Sequence, residues 1–178
     1  NNPLRIYDKA TRSSLNILTG ITDEVYSRED VIKSKQLFTD TQYIFSTWGM
    51  PVFTEEELAQ YLPNVEAVFY GAGSVQSFVR PFLRRGAKVF SAWMANAVPV
   101  AEYTVAQILL ANKGFYAASR QMRAGDVGGA RQTAKAYPGN YEAVVGVIGT
   151  GAIGRLVCKL LKQYRLRVLA CSLELDEA

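Results

Sequence analysis

The sequence contains no histidine. Any step that uses imidazole as acid, base, nucleophile or metal ligand is closed to these residues by themselves. Cysteine is scarce: Cys158 and Cys171 fall in a helix-like and a strand-like segment, at a spacing that suits no metal knuckle. Reduced thiols in a cytoplasmic setting follow, and no metal is expected. No stretch stays apolar for the ~20 residues a membrane span needs. The opening NNPLRIYDKA lacks the charged-then-apolar order of a secretory signal. Concentrated charge is missing too. The net charge of +4 comes from scattered basic residues, with Arg84-Arg85 and the alternating Arg165 and Arg167 as short clusters. A nucleic-acid binder gathers its charge on one face, so neither nucleic acid nor membrane is expected as a partner. A mild pull on small anions is.

What is present is ordinary globular material. Apolar residues make up 49% and charged residues 20% of the 178, which excludes disordered and fibrous classes. Short β-like runs recur at LRIYD (Leu4 to Asp8), QYIFSTWG (Gln42 to Gly49), EAVFYGAGS (Glu66 to Ser74) and AKVFSA (Ala87 to Ala92). The spacing leaves room for helices rather than hairpins, so the strands are expected to be parallel with crossovers. TEEELAQYL pairs Thr54 with Glu57 three residues on, a capping box that starts a helix.

From Val98 the pattern predicts one long helix, with Pro99 near its start and Gly125 just past its end. Its apolar face is wide enough for burial on more than one side, as a bridge between domains or subunits would be; an ordinary core helix is the alternative. DVGGARQTAKAYPGNYE then reads as a linker or an extended arm. AVVGVIG follows as a continuous apolar strand of the kind found in the middle of a parallel sheet.

Directly after that strand, Gly149, Gly151 and Gly154 stand in G-x-G-x-x-G register, ahead of the amphipathic RLVCKLLKQY and a second strand, LRVLAC. In this setting Gly149 makes the tight turn, Gly151 admits a pyrophosphate to the backbone, and Gly154 lets the helix pack closely on the sheet. The helix N-terminus offers free amides to the phosphates. The alternative is a tight turn in an empty α/β unit. The acid that would bind the ribose 2′-hydroxyl is due about 20 residues on, and Ser172 holds that place. A serine does not repel a 2′-phosphate, yet SLELDEA brings no Arg or Lys to attract one. The choice between NAD and NADP stays open, with Glu174 the nearest acid.

The order of GAGSV (71–75), ANAVPVAEYTVAQILLA (95–111) and VGVIGTGAIGRLVCKLLKQYRLRVLA (145–170) resembles the D-isomer-specific 2-hydroxyacid dehydrogenases from about Gly49 onward. The resemblance implies an α/β fold in which a flavodoxin-like substrate domain (1–98) leads through a crossover helix and arm (99–142). The first part of a Rossmann-type, doubly wound parallel-sheet domain (143–178) follows. It implies an oxidoreductase that interconverts a small 2-hydroxy acid and a 2-oxo acid with NAD or NADP, as a homodimer. Gly73, Ser74 and Val75 would present amides to the substrate carboxylate, Trp48 and Gly49 would border its pocket, and Asn96 and Thr104 would face substrate and nicotinamide. Gly149, Gly151, Ala152, Ile153, Gly154 and Ser172 would hold the coenzyme. Two simpler roles compete: Asn96 as a helix cap and Trp48 as a core residue.

The family's catalytic Arg, acid and His fall downstream of the second coenzyme-domain strand. They are expected beyond Ala178, so no catalytic residue is assigned within this chain. A Rossmann domain uses about six parallel strands, and only the two around the glycine turn are legible. The expectation is a fragment, inactive alone, of a protein near twice the length. The alternative function on the same fold is a non-catalytic, dinucleotide-responsive binding protein of the corepressor kind.

Overall fold

The computed structural model describes residues 3–171. They divide into two compact units, one up to Ala95 and one from Asn96 on. Both are α/β with parallel sheets.

In the first unit the chain begins with a 3₁₀ turn at Pro3–Arg5 and α1 at Lys9–Thr19, followed by α2 (Arg28–Lys33) and α3 (Lys35–Phe38). The strand expected over Leu4 to Asp8 does not form. The Pro3 carbonyl accepts from the amides of Ile6 and Tyr7, both at 3.0 Å, which closes the backbone into a turn. Asp8 then caps α1 by accepting from the Thr11 amide at 2.8 Å. Local hydrogen bonds won over a short alternating pattern.

The sheet consists of β1 (Tyr43–Ser46), β2 (Ala67–Tyr70) and β3 (Lys88–Ser91), in that order and all parallel. Two helices cross over between them, α4 (Glu55–Tyr61) and α5 (Val79–Arg84). The capping box of α4 is present as read: the Thr54 hydroxyl accepts from the Glu57 amide and the Glu57 carboxylate from the Thr54 amide. Sequential strand order with crossovers of one hand puts both helices on the same face. There Leu58, Phe78 and Phe82 close over Val68 and Tyr70 as the core. The opposite face carries an aromatic row in which Phe45, Phe69 and Phe90 pair across one register and stack at 5.1 Å.

The long helix is two helices. α6 runs Trp93–Asn112 and α7 Phe115–Arg123, divided where Gly114 enters the left-handed region at φ 68. A Cβ at Gly114 would meet the ring of Tyr137, so the break also makes room for that side chain. Pro99 lies inside α6 rather than at its start. Its missing amide costs that turn the bond to the Ala95 carbonyl. Gly125 does end α7, at φ 83.

The arm expected after it is helical as well: α8 spans Val127–Ala136, capped by Asp126, whose carboxylate accepts from the Gly129 amide at 2.7 Å. A side chain at Gly129 would occupy the place of that carboxylate. The residues read as a linker signal are therefore what lets the cap close. The Pro138-Gly139 turn then returns to the end of α6, where the Gly139 amide donates to the Asn112 carbonyl at 3.0 Å.

The second sheet pairs β4 (Val144–Ile148) with β5 (Arg167–Cys171) in parallel, joined by α9 (Ala152–Leu161). Ala101 and Val105 of α6 and Val157 and Leu161 of α9 pack on Val145. AVVGVIG forms a strand as read, and among the described residues β4 pairs with β5 alone. The face bearing Val144, Ile148 and Leu169 is exposed, Ile148 at 93%.

Candidate functional site

The turn between β4 and α9 is built by its glycines. Gly149 sits at φ 88, and its amide donates to the Cys171 carbonyl at 2.7 Å, which ties the turn to the end of β5. A Cβ on Gly154 would collide with the Gly149 carbonyl, so only glycine lets α9 start this close to the strand. Gly151 is different. It is the N-cap of α9 in extended backbone, it supplies no capping side chain, and a Cβ there would meet nothing within 4 Å.

Arg155 braces the turn from within, its amide donating to the Gly151 carbonyl at 3.0 Å and its Nε to the Thr150 carbonyl at 2.7 Å. Among the described residues no group accepts from the amides of Ala152, Ile153 and Gly154. A ten-residue helix thus ends in three free donors, at the positive end of its dipole, facing open space. That donor set fits the pyrophosphate of a dinucleotide. Thr104, on α6 in the same unit, donates its hydroxyl to the Val100 carbonyl at 2.8 Å. Ser172, read as the ribose position, lies outside the described residues, as do Glu174 and Ala178. The place expected for the catalytic Arg, acid and His, beyond Ala178, lies outside them too.

In the first unit the predicted residues gather at the carboxyl ends of adjacent parallel strands, where open α/β sheets bind ligands. Trp48 and Gly49 follow β1. Trp48 is 47% exposed and is not a core residue, and Gly49 is left-handed at φ 94. Gly73, Ser74 and Val75 follow β2, and among the described residues none of their amides has an acceptor. Trp93 and Met94, after β3, are both about half exposed. Asn96, the first residue of the second unit, comes one turn into α6, so it caps no helix; it is half-buried, and its side-chain amide has no partner among the described residues.

Sequence reasoning missed the side chains that fasten this edge. Thr47, 2% exposed, donates its hydroxyl toward the Gly71 carbonyl at 3.4 Å. The Ser91 hydroxyl reaches the carbonyls of both Ala72 and Gly73, the former at 3.0 Å. The Tyr7 hydroxyl bridges the Ser46 and Phe69 carbonyls at 3.1 and 2.9 Å. Burial pushes Tyr7 above its ordinary pKa against the opposing effect of the Gly71 amide, so it stays a neutral donor. For Thr47 and Ser91 the available signal was a hydroxyl at the carboxyl end of an apolar strand.

Residues 105–178 match the family described as D-isomer specific 2-hydroxyacid dehydrogenase, NAD binding domain. The match covers 74 of the chain's 178 residues. No curated protein matches the chain.

Solved structures of dehydrogenases extend the likeness to the whole chain. A D-2-hydroxyisocaproate dehydrogenase matches at 17% identity and a TM-score of 0.67, over 99% of this chain and 52% of that one. A NAD-dependent formate dehydrogenase from Staphylococcus aureus, in complex with NAD, matches at 19% and 0.62, over 90% and 49%. The apo D-mandelate dehydrogenase of Rhodotorula graminis matches at 13% and 0.70, over 89% and 49%. At these identities the likeness shows the fold. The chain spans about half the length of the structures it matches. Among the described residues no helix is long and apolar enough to cross a membrane, and no three His, Cys, Asp or Glu gather as metal ligands.

Proposed function

We propose that the protein is an NAD(P)-dependent oxidoreductase that interconverts a small 2-hydroxy acid and the corresponding 2-oxo acid. The coenzyme binds at 143–178, the substrate binds on 1–98, and α6 and the residues up to 142 join the two. The observation that carries this reading is the glycine turn at β4–α9, with three unengaged amides and open space at Gly151. Gly149, Gly151, Ala152, Ile153 and Gly154 hold the pyrophosphate, and Thr104 lies toward the nicotinamide. When bound, the nicotinamide supplies a hydride donor or acceptor at carbon.

The chain's own residues bind and orient the acid. The amides of Gly73, Ser74 and Val75 take the carboxylate, since successive free amides make an anion-binding concavity. Asn96 contributes a free side-chain amide, and Trp48 and Gly49 wall the pocket. No imidazole is present among these residues to carry the hydroxyl proton. Ser172, a neutral residue where NAD-specific sites carry an acid, leaves NADP admissible. The test is a fluorescence titration of the chain with NADH and NADPH. Saturable binding of at least one is expected, and failure of both at millimolar concentration would remove the dinucleotide site.

A further inference from the structure

We infer that Ser91 is a positioning residue, whose hydroxyl aims the amides of Gly73 and Ser74 at the substrate carboxylate. This rests on the reading of 73–75 as the carboxylate loop. Ser91 is the last residue of β3 and belongs to a different segment from the loop it touches. Its Oγ lies 3.0 Å from the Ala72 carbonyl oxygen and within hydrogen-bond reach of the Gly73 carbonyl oxygen. The peptide bond is planar and trans, so a carbonyl and the amide that follows it point in opposite directions, and none of the described bonds is cis. Holding the Ala72 carbonyl therefore turns the Gly73 amide away from Ser91. Holding the Gly73 carbonyl does the same for the Ser74 amide.

Both amides lie on accessible residues and lack an acceptor among the described residues, whereas Ala72, just before them, is fully buried. Gly73 would otherwise be free to rotate its peptide planes. One part-buried hydroxyl, sharing its single proton between two adjacent carbonyls, fixes the direction of two donors without touching the ligand. Thr47 holds the preceding Gly71 carbonyl from the β1 side, so the loop is anchored from both neighbouring strands and Ser91 sets the first two peptides of the 73–75 loop.

The experiment is an amide-resolved NMR titration of the full chain, with saturating NADH, using oxamate as the carboxylate probe. Wild type, Ser91→Ala and Ser91→Thr are compared, with thermal melts of each. Oxamate is expected to shift the Gly73, Ser74 and Val75 amides in wild type. Ser91→Ala should weaken binding by about 5- to 10-fold, the worth of one hydrogen bond, and Ser91→Thr, which keeps the hydroxyl, should restore it to within about 2-fold. A wild type whose loop amides ignore oxamate would overturn the carboxylate-loop reading itself. Undiminished binding by Ser91→Ala, or equal loss in the Thr variant, would overturn the role of Ser91 and leave that reading standing. A merely structural serine would lower the melting temperature of the Ala variant without changing its affinity below the melt, which also counts against positioning.

Discussion

Gly151→Val separates the coenzyme site from the fold more cleanly than any other single change in this chain. A Cβ at Gly151 meets no atom within 4 Å, and the residue's extended backbone, φ −65 and ψ −168, is open to valine. The cost to stability is confined to replacing glycine at an N-cap by a residue that caps poorly, about 1 kcal/mol or less. It is partly offset by a stiffer unfolded chain. The cost to binding is far larger, because the three added carbons fill the space in front of the free Ala152 and Ile153 amides. Two hydrogen bonds to a charged ligand, at about 1.5 kcal/mol each, amount to about 3 kcal/mol, or a loss near 100-fold in affinity. Fluorescence titration with NADH and a thermal melt read the two quantities independently. NADH affinity within threefold of wild type would refute the placement of the pyrophosphate. A melting temperature that collapses along with binding would refute the open space at Gly151.

Three further outcomes follow from the same geometry. Gly154→Ala should do the reverse, because its Cβ would overlap the Gly149 carbonyl; overpacking of about 1–3 kcal/mol should appear as a drop of several degrees in the melt, and an unchanged melt would contradict the close start of α9. The protein is expected to self-associate through α6 and the residues after it, where Tyr103, Leu110, Phe115 and Met122 are exposed; a monomer in sedimentation at high concentration counts against this. Leu110→Glu and Phe115→Glu together should shift any dimer toward monomer while leaving NADH binding in place.

What could be read from the chain alone was whatever short-range physics determines. The Thr54–Glu57 capping box, the glycine register and the three apolar runs of the first sheet all declare themselves within a few residues, and the structure has them. The failures occur where one particular partner decides, whether close by or far along the chain. Leu4 to Asp8 alternates like a strand, but Tyr7 is drawn instead to the Ser46 and Phe69 carbonyls at the edge of the sheet. Gly128-Gly129 resembles a linker until Asp126 is seen to need a neighbour without a side chain. Gly114 divides a helix that periodicity carries straight through, and its reason is Tyr137, more than twenty residues on. The proposed loop Gly73 to Val75 was picked out by resemblance. Thr47 and Ser91 were not, because a hydroxyl that acts through someone else's carbonyl leaves no motif.

The missing histidine has one more consequence, for pH. Both proposed ligand loops consist of Gly, Ser, Val, Thr, Ala and Ile, whose side chains do not ionise, and the donors they offer are backbone amides. Ordinary carboxylates are fully charged above pH 6, and histidine is the side chain whose unperturbed pKa falls between there and pH 7.5. Arg155 meets the turn through its Nε, which donates to the Thr150 carbonyl, and the loop residues themselves bring no ionisable side chain into that window. NADH affinity should therefore vary by less than about twofold between pH 6 and 7.5 at fixed ionic strength. A titration with its midpoint inside the window would mean that a side chain with a displaced pKa contacts the coenzyme. Such a result would contradict a site made of amides alone. Flat binding is what a coenzyme held by backbone amides, which carry no titrating proton in that window, would give.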